Sequence, residues 1–226
     1  KTEVAKILSD VLYGNKPIIL NMTEYTSEAS INRIIGSPVG YVGSDSNAEL
    51  PFDILESNPY SVILLDEFEK GSKAVQRLFM SAFDEGYIKT AKGATIDFSK
   101  AIIIATTNAN HTEHSSAPIG FSPKEPQADL GVTVEGLSGW FDVELLNRFS
   151  AIIPFNTIDR TTYEMILSSL YEKEVARITA QNRSIKLNAT LTPSELKMLS
   201  ETSYVPKFGA RPAEKTIQAY IEKLVM

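Results

Sequence analysis

Val62-Ile63-Leu64-Leu65 is an unbroken apolar run that ends on two acids, Asp66-Glu67. A strand with one wet face would alternate apolar and polar residues. This one does not, so it reads as a strand buried on both faces, the signature of a parallel sheet covered by helices. Ala101–Ala105 repeats the pattern and leads into Thr106-Thr107-Asn108, while Ile18–Leu20 and Ala151–Phe155 are shorter runs of the same kind. Helical stripes lie between them. Val4, Ile7, Leu8, Val11 and Leu12 share one face of a helix over Lys1–Tyr13. A second helix is expected over Ser27–Ile35, stopped by Gly36. Val75, Leu78, Phe79, Ala82 and Phe83 stripe a third, closed by Gly86. Ile88–Phe98 reads as a small hairpin. The expectation up to about residue 156 is a parallel α/β layer, and open sheets of this class gather ligands at the carboxyl ends of their strands.

After Asn156 the pattern turns helical. Tyr163, Ile166, Leu167 and Leu170 share a face, and Ile217, Tyr220, Ile221 and Leu224 stripe the last helix. Thr192-Pro193-Ser194-Glu195 combines an N-cap, a proline at the first helical position and a glutamate at the third, a capping box. Ile185–Leu187 is expected to be a short strand. The chain is thus expected to form two domains: residues 1–156, α/β, and residues 157–226, small and mostly helical. Two polar stretches interrupt them, Ser37–Asn47 and Asn108 to about Gly139, and both read as exposed loops.

Composition bounds the chemistry. The net charge of −6 disfavours nonspecific binding to nucleic acid. Without cysteine there are no disulfides and no thiolate metal sites. His111 and His114 stand three apart in a polar stretch with no ligand set around them, which favours a solvated loop over a metal site. No apolar run approaches the roughly 20 residues of a membrane span. Position 1 is not Met, and the chain reads as an excised piece of a longer protein.

Three short segments carry candidate chemistry. Asp66 and Glu67, delivered by a buried strand, could hold the water shell of Mg²⁺ and polarise an attacking water; they could equally be acids ending a strand in solvent. Asn108, ending the neighbouring strand, could orient the same water, or could simply form a turn. Lys1-Thr2 precedes an amphipathic helix, as Lys and Thr do in a phosphate-binding loop, but the glycines of such a loop do not stand before it in the sequence.

Taken together and in order, these pieces resemble an AAA+ P-loop ATPase, and more closely the second or only AAA+ module of the Clp unfoldases. Lys1-Thr2-Glu3-Val4-Ala5-Lys6 resembles the end of the Walker A motif and its helix, cut within the motif. Asn21-Met22-Thr23-Glu24-Tyr25 resembles the motif after the next strand, and Gly36-Ser37-Pro38-Val39-Gly40-Tyr41-Val42-Gly43 the substrate-gripping pore loop. Pro59-Tyr60-Ser61 with Leu65-Asp66-Glu67-Phe68-Glu69-Lys70 resembles Walker B. Leu146-Asn147-Arg148-Phe149 is similar to the arginine-finger segment, and Phe208-Gly209-Ala210-Arg211-Pro212 to sensor 2. The resemblance covers essentially the whole chain.

It implies ATP and Mg²⁺ as cofactors and ATP hydrolysis as the activity of the parent protein. Lys1 and Thr2 would bind phosphates and Mg²⁺, Asp66 would hold Mg²⁺, Glu67 would activate water and Asn108 would be sensor 1. Arg211 would reach the nucleotide from the small domain, and Arg148 would complete the neighbouring subunit's site. Tyr41 and Val42 would grip substrate: a bulky aromatic on a glycine-flanked loop holds any polypeptide by van der Waals contact. Ile119-Gly120-Phe121, set among Pro118, Ser122 and Pro123, resembles the loop by which Clp unfoldases dock on the ClpP peptidase, against the alternative of local packing. The implied assembly is a cytoplasmic homo-hexamer acting on protein substrates, with no nucleic-acid or membrane partner. Competing readings are a disaggregase-type chaperone without a peptidase, a DNA-remodelling AAA+ protein and a degenerate interaction module. The stretch Asn47–Asp53 lacks the glycine-rich run expected after the pore loop, and Gln127–Trp140 does not align. Without the phosphate-loop glycines, the chain as written is expected to bind nucleotide weakly or not at all.

Overall fold

The computed structural model describes residues 1–38, 40, 49–109, 134–181 and 187–225. It divides into two compact units, Lys1–Pro154 and Phe155–Met226. Strands β1 (Ile18–Asn21), β2 (Val62–Asp66), β3 (Tyr87–Lys89), β4 (Thr95–Asp97) and β5 (Ile102–Ala105) belong to the first unit, with helices α1 (Thr2–Tyr13), α2 (Asn32–Ile35), α3 (Ile54–Ser57), α4 (Lys73–Glu85), α5 (Val134–Leu137) and α6 (Val143–Leu146). The second unit holds α7 (Arg160–Gln181), α8 (Pro193–Ser203) and α9 (Arg211–Val225).

β1, β2 and β5 form the expected parallel sheet, in the order β1-β2-β5. Ile63 faces Ile18 and Ile103, and Leu65 faces Leu20 and Ala105. The central strand explains the unbroken apolar run: Val62 through Leu65 are all fully buried. Ile63 and Leu65 join the main core with Phe52, Phe68 and Phe79, while Val62 and Leu64 pack with Ala5 of α1 on the opposite face. α4 starts at Ser72, whose hydroxyl accepts the Val75 N–H at 3.4 Å, and stops at Gly86, whose φ of 75° suits a residue without Cβ. β3 and β4 form the antiparallel hairpin. Phe68, leaving β2, stacks on Phe141 at 5.6 Å and meets Phe149 edge-on at 6.4 Å, so the segment around α6 is packed against the exit of the central strand.

Three expectations are corrected, and a fourth, the strand over Ile185–Leu187, lies largely outside the described residues. The helix over Lys1–Tyr13 forms, but its apolar stripe is not the face laid on the sheet. Ala5 and Ser9 are buried there, while Val4, Ile7, Val11 and Leu12 are exposed. Small side chains let the helix approach β2 closely, and Ser9 satisfies its hydroxyl on Asn15 Oδ1 at 2.8 Å. The helix over Ser27–Ile35 is instead a 3₁₀ turn, Glu28–Ile31, followed by the single turn α2. The Ser30 hydroxyl donates to the Ser27 carbonyl, the local competition that makes serine a poor interior helix residue. Ala151–Phe155 is not a strand: it has no ladder partner among the described residues, and Ile153 and Phe155 are exposed. Leu187 is described and is not in a strand; Ile185 and Lys186 lie outside the described residues.

In the second unit Tyr163, Leu167 and Tyr171 of α7 pack with Leu199 of α8 and with Ala213, Ile217 and Ile221 of α9. The capping box forms as its residues require. Thr192 N–H donates to Glu195 Oε2 at 2.7 Å, and Glu195 N–H donates to Thr192 Oγ1 at 3.4 Å. No helix among the described residues is long and apolar enough to cross a membrane.

Candidate functional site

The carboxyl ends of β2 and β5 lie side by side, and the backbone ladder continues past both. Thr106 N–H donates to the Leu65 carbonyl at 2.9 Å, and Phe68 N–H donates to the Thr106 carbonyl at 2.9 Å. Between these two bonds the chain turns at Glu67, with φ 55° and ψ 50°, the sole non-glycine residue at positive φ among the described residues. Left-handed backbone with a Cβ is strained. The Thr106 hydroxyl helps to hold it by accepting the Glu67 N–H at 3.2 Å.

That same hydroxyl donates to Asp66 Oδ1. The Thr2 hydroxyl, from the first turn of α1, donates to the same oxygen at 3.1 Å. One Asp66 oxygen thus receives two hydroxyls, which a carboxylate oxygen with its two lone pairs can accept. Lys1 Nζ donates to the Thr107 carbonyl and, at 2.8 Å, to Asn108 Oδ1. Burial pushes the Lys1 ammonium below the usual lysine range, and the charges of Glu69 and Asp66 oppose that shift. Asn108 N–H donates to Glu69 Oε1 at 3.3 Å.

The structure thus brings Lys1, Thr2, Asp66, Glu67 and Asn108 to one end of one sheet. Arg148 makes its bonds elsewhere: Nε donates to Asp84 Oδ1 at 2.7 Å, and the other two nitrogens donate to the Glu144 carboxylate and carbonyl. Arg211 is the first residue of α9, in the second unit. Tyr41, Val42, Ile119, Gly120 and Phe121 lie outside the described residues, as do His111 and His114. Two residues at the site were assigned no role from the sequence. Thr106 links Asp66 to the turn at Glu67, and Glu69 accepts the Asn108 N–H. Their partners stand about 40 residues away in the chain, so local pattern carries no sign of them. The side-by-side strand ends, each leading into polar residues, are the signal that could have found them.

A ligand for this set can be tested on its donors. One carboxylate and one hydroxyl, Asp66 and Thr2, are hard oxygen donors. Among the described residues no three His, Asp or Glu side chains gather into a metal site of their own. Mg²⁺ held by one or two protein oxygens takes the rest of its octahedral shell from water and phosphate. With an ammonium beside it and a second acid at the strand end, the set fits a Mg²⁺–nucleotide phosphate.

Comparison with known proteins agrees with that geometry. The family model described as "AAA domain (Cdc48 subfamily)" matches residues 1–152, and that of the "C-terminal, D2-small domain, of ClpB protein" matches residues 162–226. The chain is 37% identical to the ATP-dependent Clp protease ATP-binding subunit ClpE of Bacillus subtilis, over 98% of this chain and 31% of that protein. It is 33% identical to the chaperone protein ClpB of Aquifex aeolicus, over 98% of this chain and 22% of that protein. A closed-state cryo-EM reconstruction of Hsp104 with ATPγS and FITC-casein superposes with a TM-score of 0.78 at 31% identity, over 99% of this chain and 38% of that one. The chain therefore spans less than a third of the length of these curated relatives.

Proposed function

Since the chain belongs to the Clp-type AAA+ family of unfoldases and chaperones, we propose that it is the ATPase core of a cytoplasmic homo-hexamer that threads protein substrates through a central pore and feeds them to a ClpP-type peptidase. The observation that carries this reading is the convergence of Thr2 and Thr106 on Asp66, beside Lys1 on Asn108, at the carboxyl end of the sheet. ATP supplies the phosphoanhydride and Mg²⁺ the neutralising charge. Lys1 holds phosphate oxygens by charge; Thr2 and Asp66 hold the cation. Glu67, turned out of the strand by its left-handed backbone, polarises the attacking water, and Asn108 orients it. Arg148 serves the neighbouring subunit's site, and Arg211 approaches from the small domain. Tyr41 and Val42 grip the substrate chain, and Ile119-Gly120-Phe121 docks the peptidase.

Glu67→Gln in the full-length protein tests the chemistry. ATP binding should persist while turnover falls by about 10²–10⁴-fold, the range typical of a lost general base; turnover at the wild-type rate removes Glu67 from the role. A second reading is a disaggregase-type chaperone with no peptidase, favoured by the ClpB relatives and by the match to the ClpB small domain. Phe121→Ala separates the two. Loss of peptidase-coupled degradation with ATPase activity intact supports docking, and unchanged degradation ends it.

A further inference from the structure

Glu69 lies two residues beyond Glu67, in the 3₁₀ turn Phe68–Lys70. Its two oxygens have different fates. Oε1 accepts the Asn108 N–H at 3.3 Å, across 39 residues of chain. Oε2 is buried and is the one buried side-chain polar atom without a hydrogen-bond partner among the described residues. An orphaned carboxylate oxygen is costly to bury, and such atoms call for a functional explanation. Asn108 is held from two sides: Glu69 takes its backbone N–H, and Lys1 takes its side-chain carbonyl at 2.8 Å. Asn108 stands three positions past the last residue of β5, where the sheet no longer supplies its backbone with a partner. Without Glu69 the asparagine would lose the bond that fixes its main chain, while its side chain followed Lys1.

Resting on the nucleotide-site reading above, we propose that Glu69 is a positioning residue: its carboxylate anchors the Asn108 backbone at the mouth of β5, so that the asparagine side chain faces the reacting end of the site in one orientation. Glu69 touches no reacting atom. It acts through Asn108, and it sets a negative charge near Lys1.

The experiment compares Glu69→Ala and Glu69→Gln with wild type in the full-length protein. Two readouts are taken: hydrogen exchange of the Asn108 amide without nucleotide, and kcat and KM for ATP. In Glu69→Ala the Asn108 amide should exchange about tenfold faster or more, the scale of one lost hydrogen bond to a charged group. Its kcat should fall by a similar factor, with KM within about threefold of wild type. Glu69→Gln keeps an oxygen that can accept the Asn108 N–H, and should recover both the protection and most of kcat. Unchanged exchange and kcat in Glu69→Ala would overturn the proposal. So would equal losses in both variants that track a lowered Tm, because packing alone would then account for them. If the wild type hydrolyses no ATP, the nucleotide reading falls by itself, and the exchange measurement still decides whether Glu69 anchors Asn108.

Discussion

Replacing Glu67 by glycine should stabilise the first unit even as it destroys the site. Glu67 holds φ 55° and ψ 50°, a conformation that costs a residue with a Cβ roughly 1–2 kcal/mol. Glycine escapes that strain but gives its unfolded chain more freedom, worth about 0.4–1 kcal/mol in the opposite direction. Alanine is the correct reference, because it removes the carboxylate and keeps the Cβ. Glu67→Gly should therefore exceed Glu67→Ala by about 0.5–1 kcal/mol. At an ordinary strand or helix position the same exchange is unfavourable by about 0.5–1 kcal/mol, so the sign itself is diagnostic. The chain has one tryptophan, Trp140, packed against the core of the first unit, with Lys70 Nζ 5.9 Å from its ring centroid. Its fluorescence in urea reports that unit alone. With a slope near 2 kcal/mol per molar urea, the glycine midpoint should lie a few tenths molar above the alanine one. Equal midpoints, or a lower one for glycine, would refute the left-handed turn and with it the projection of Glu67 from the strand end.

If Arg148 completes the neighbouring subunit's site as proposed, Arg148→Ala in the full-length protein should lower ATP turnover by about 10³–10⁵-fold while nucleotide binding is kept, the range for an arginine in that role. Rings mixed from wild-type and variant subunits should show an intersubunit effect, and strictly proportional activity would count against action in trans. In the second unit Glu195 is held below the usual carboxylate range, first by the Thr192 hydroxyl, then by the Tyr220 hydroxyl and the Thr192 N–H. A lowered folded pKa gives stability that is present above the unfolded value, near 4.3, and is lost as pH falls through the folded one. Tyr220, pushed up to about 12 first by burial and then by its bond to Glu195, gives stability that is full below about 10 and lost as pH rises through its folded value. Helical ellipticity measured across pH should show both limbs in wild type and a weakened acid limb in Glu195→Gln; identical acid limbs would refute the network's role.

The parallel sheet was legible because burial on both faces leaves a mark in composition, and Val62–Leu65 carries it. The capping box at Thr192 was legible because its partners are three residues apart. The site was half legible. Asp66, Glu67 and Asn108 stand at the ends of apolar runs, where a ligand is expected. Thr106 and Glu69 were not legible, because their partners are set by the parallel register between β2 and β5 and not by neighbours in sequence. The α1 stripe shows the limit of periodicity. It tells which side chains share a face and not what lies against that face, and the face used is the one with Ala5 and Ser9. Ala151–Phe155 shows another: strand propensity cannot supply a ladder partner.

The left-handed turn at Glu67 could not be read from sequence either, since nothing about glutamate favours it. The bonds around it give its cause. Asp66 must stay in the ladder to meet Thr2 and Thr106, and Phe68 must return its N–H to the Thr106 carbonyl while its ring enters the cluster with Phe79, Phe141 and Phe149. Only one residue separates these two demands, so the chain reverses its local hand there. The aromatic core beneath β2 thereby offsets the strain above it. Substitutions of Phe68 should disturb the orientation of Glu67 before they disturb Asp66. Asp66 is pinned by the sheet and by two hydroxyls, whereas Glu67 lies beyond the ladder and is held by the anchored Phe68 on its carboxyl side, by its own N–H on the Thr106 hydroxyl and by the Lys70 N–H on its carbonyl.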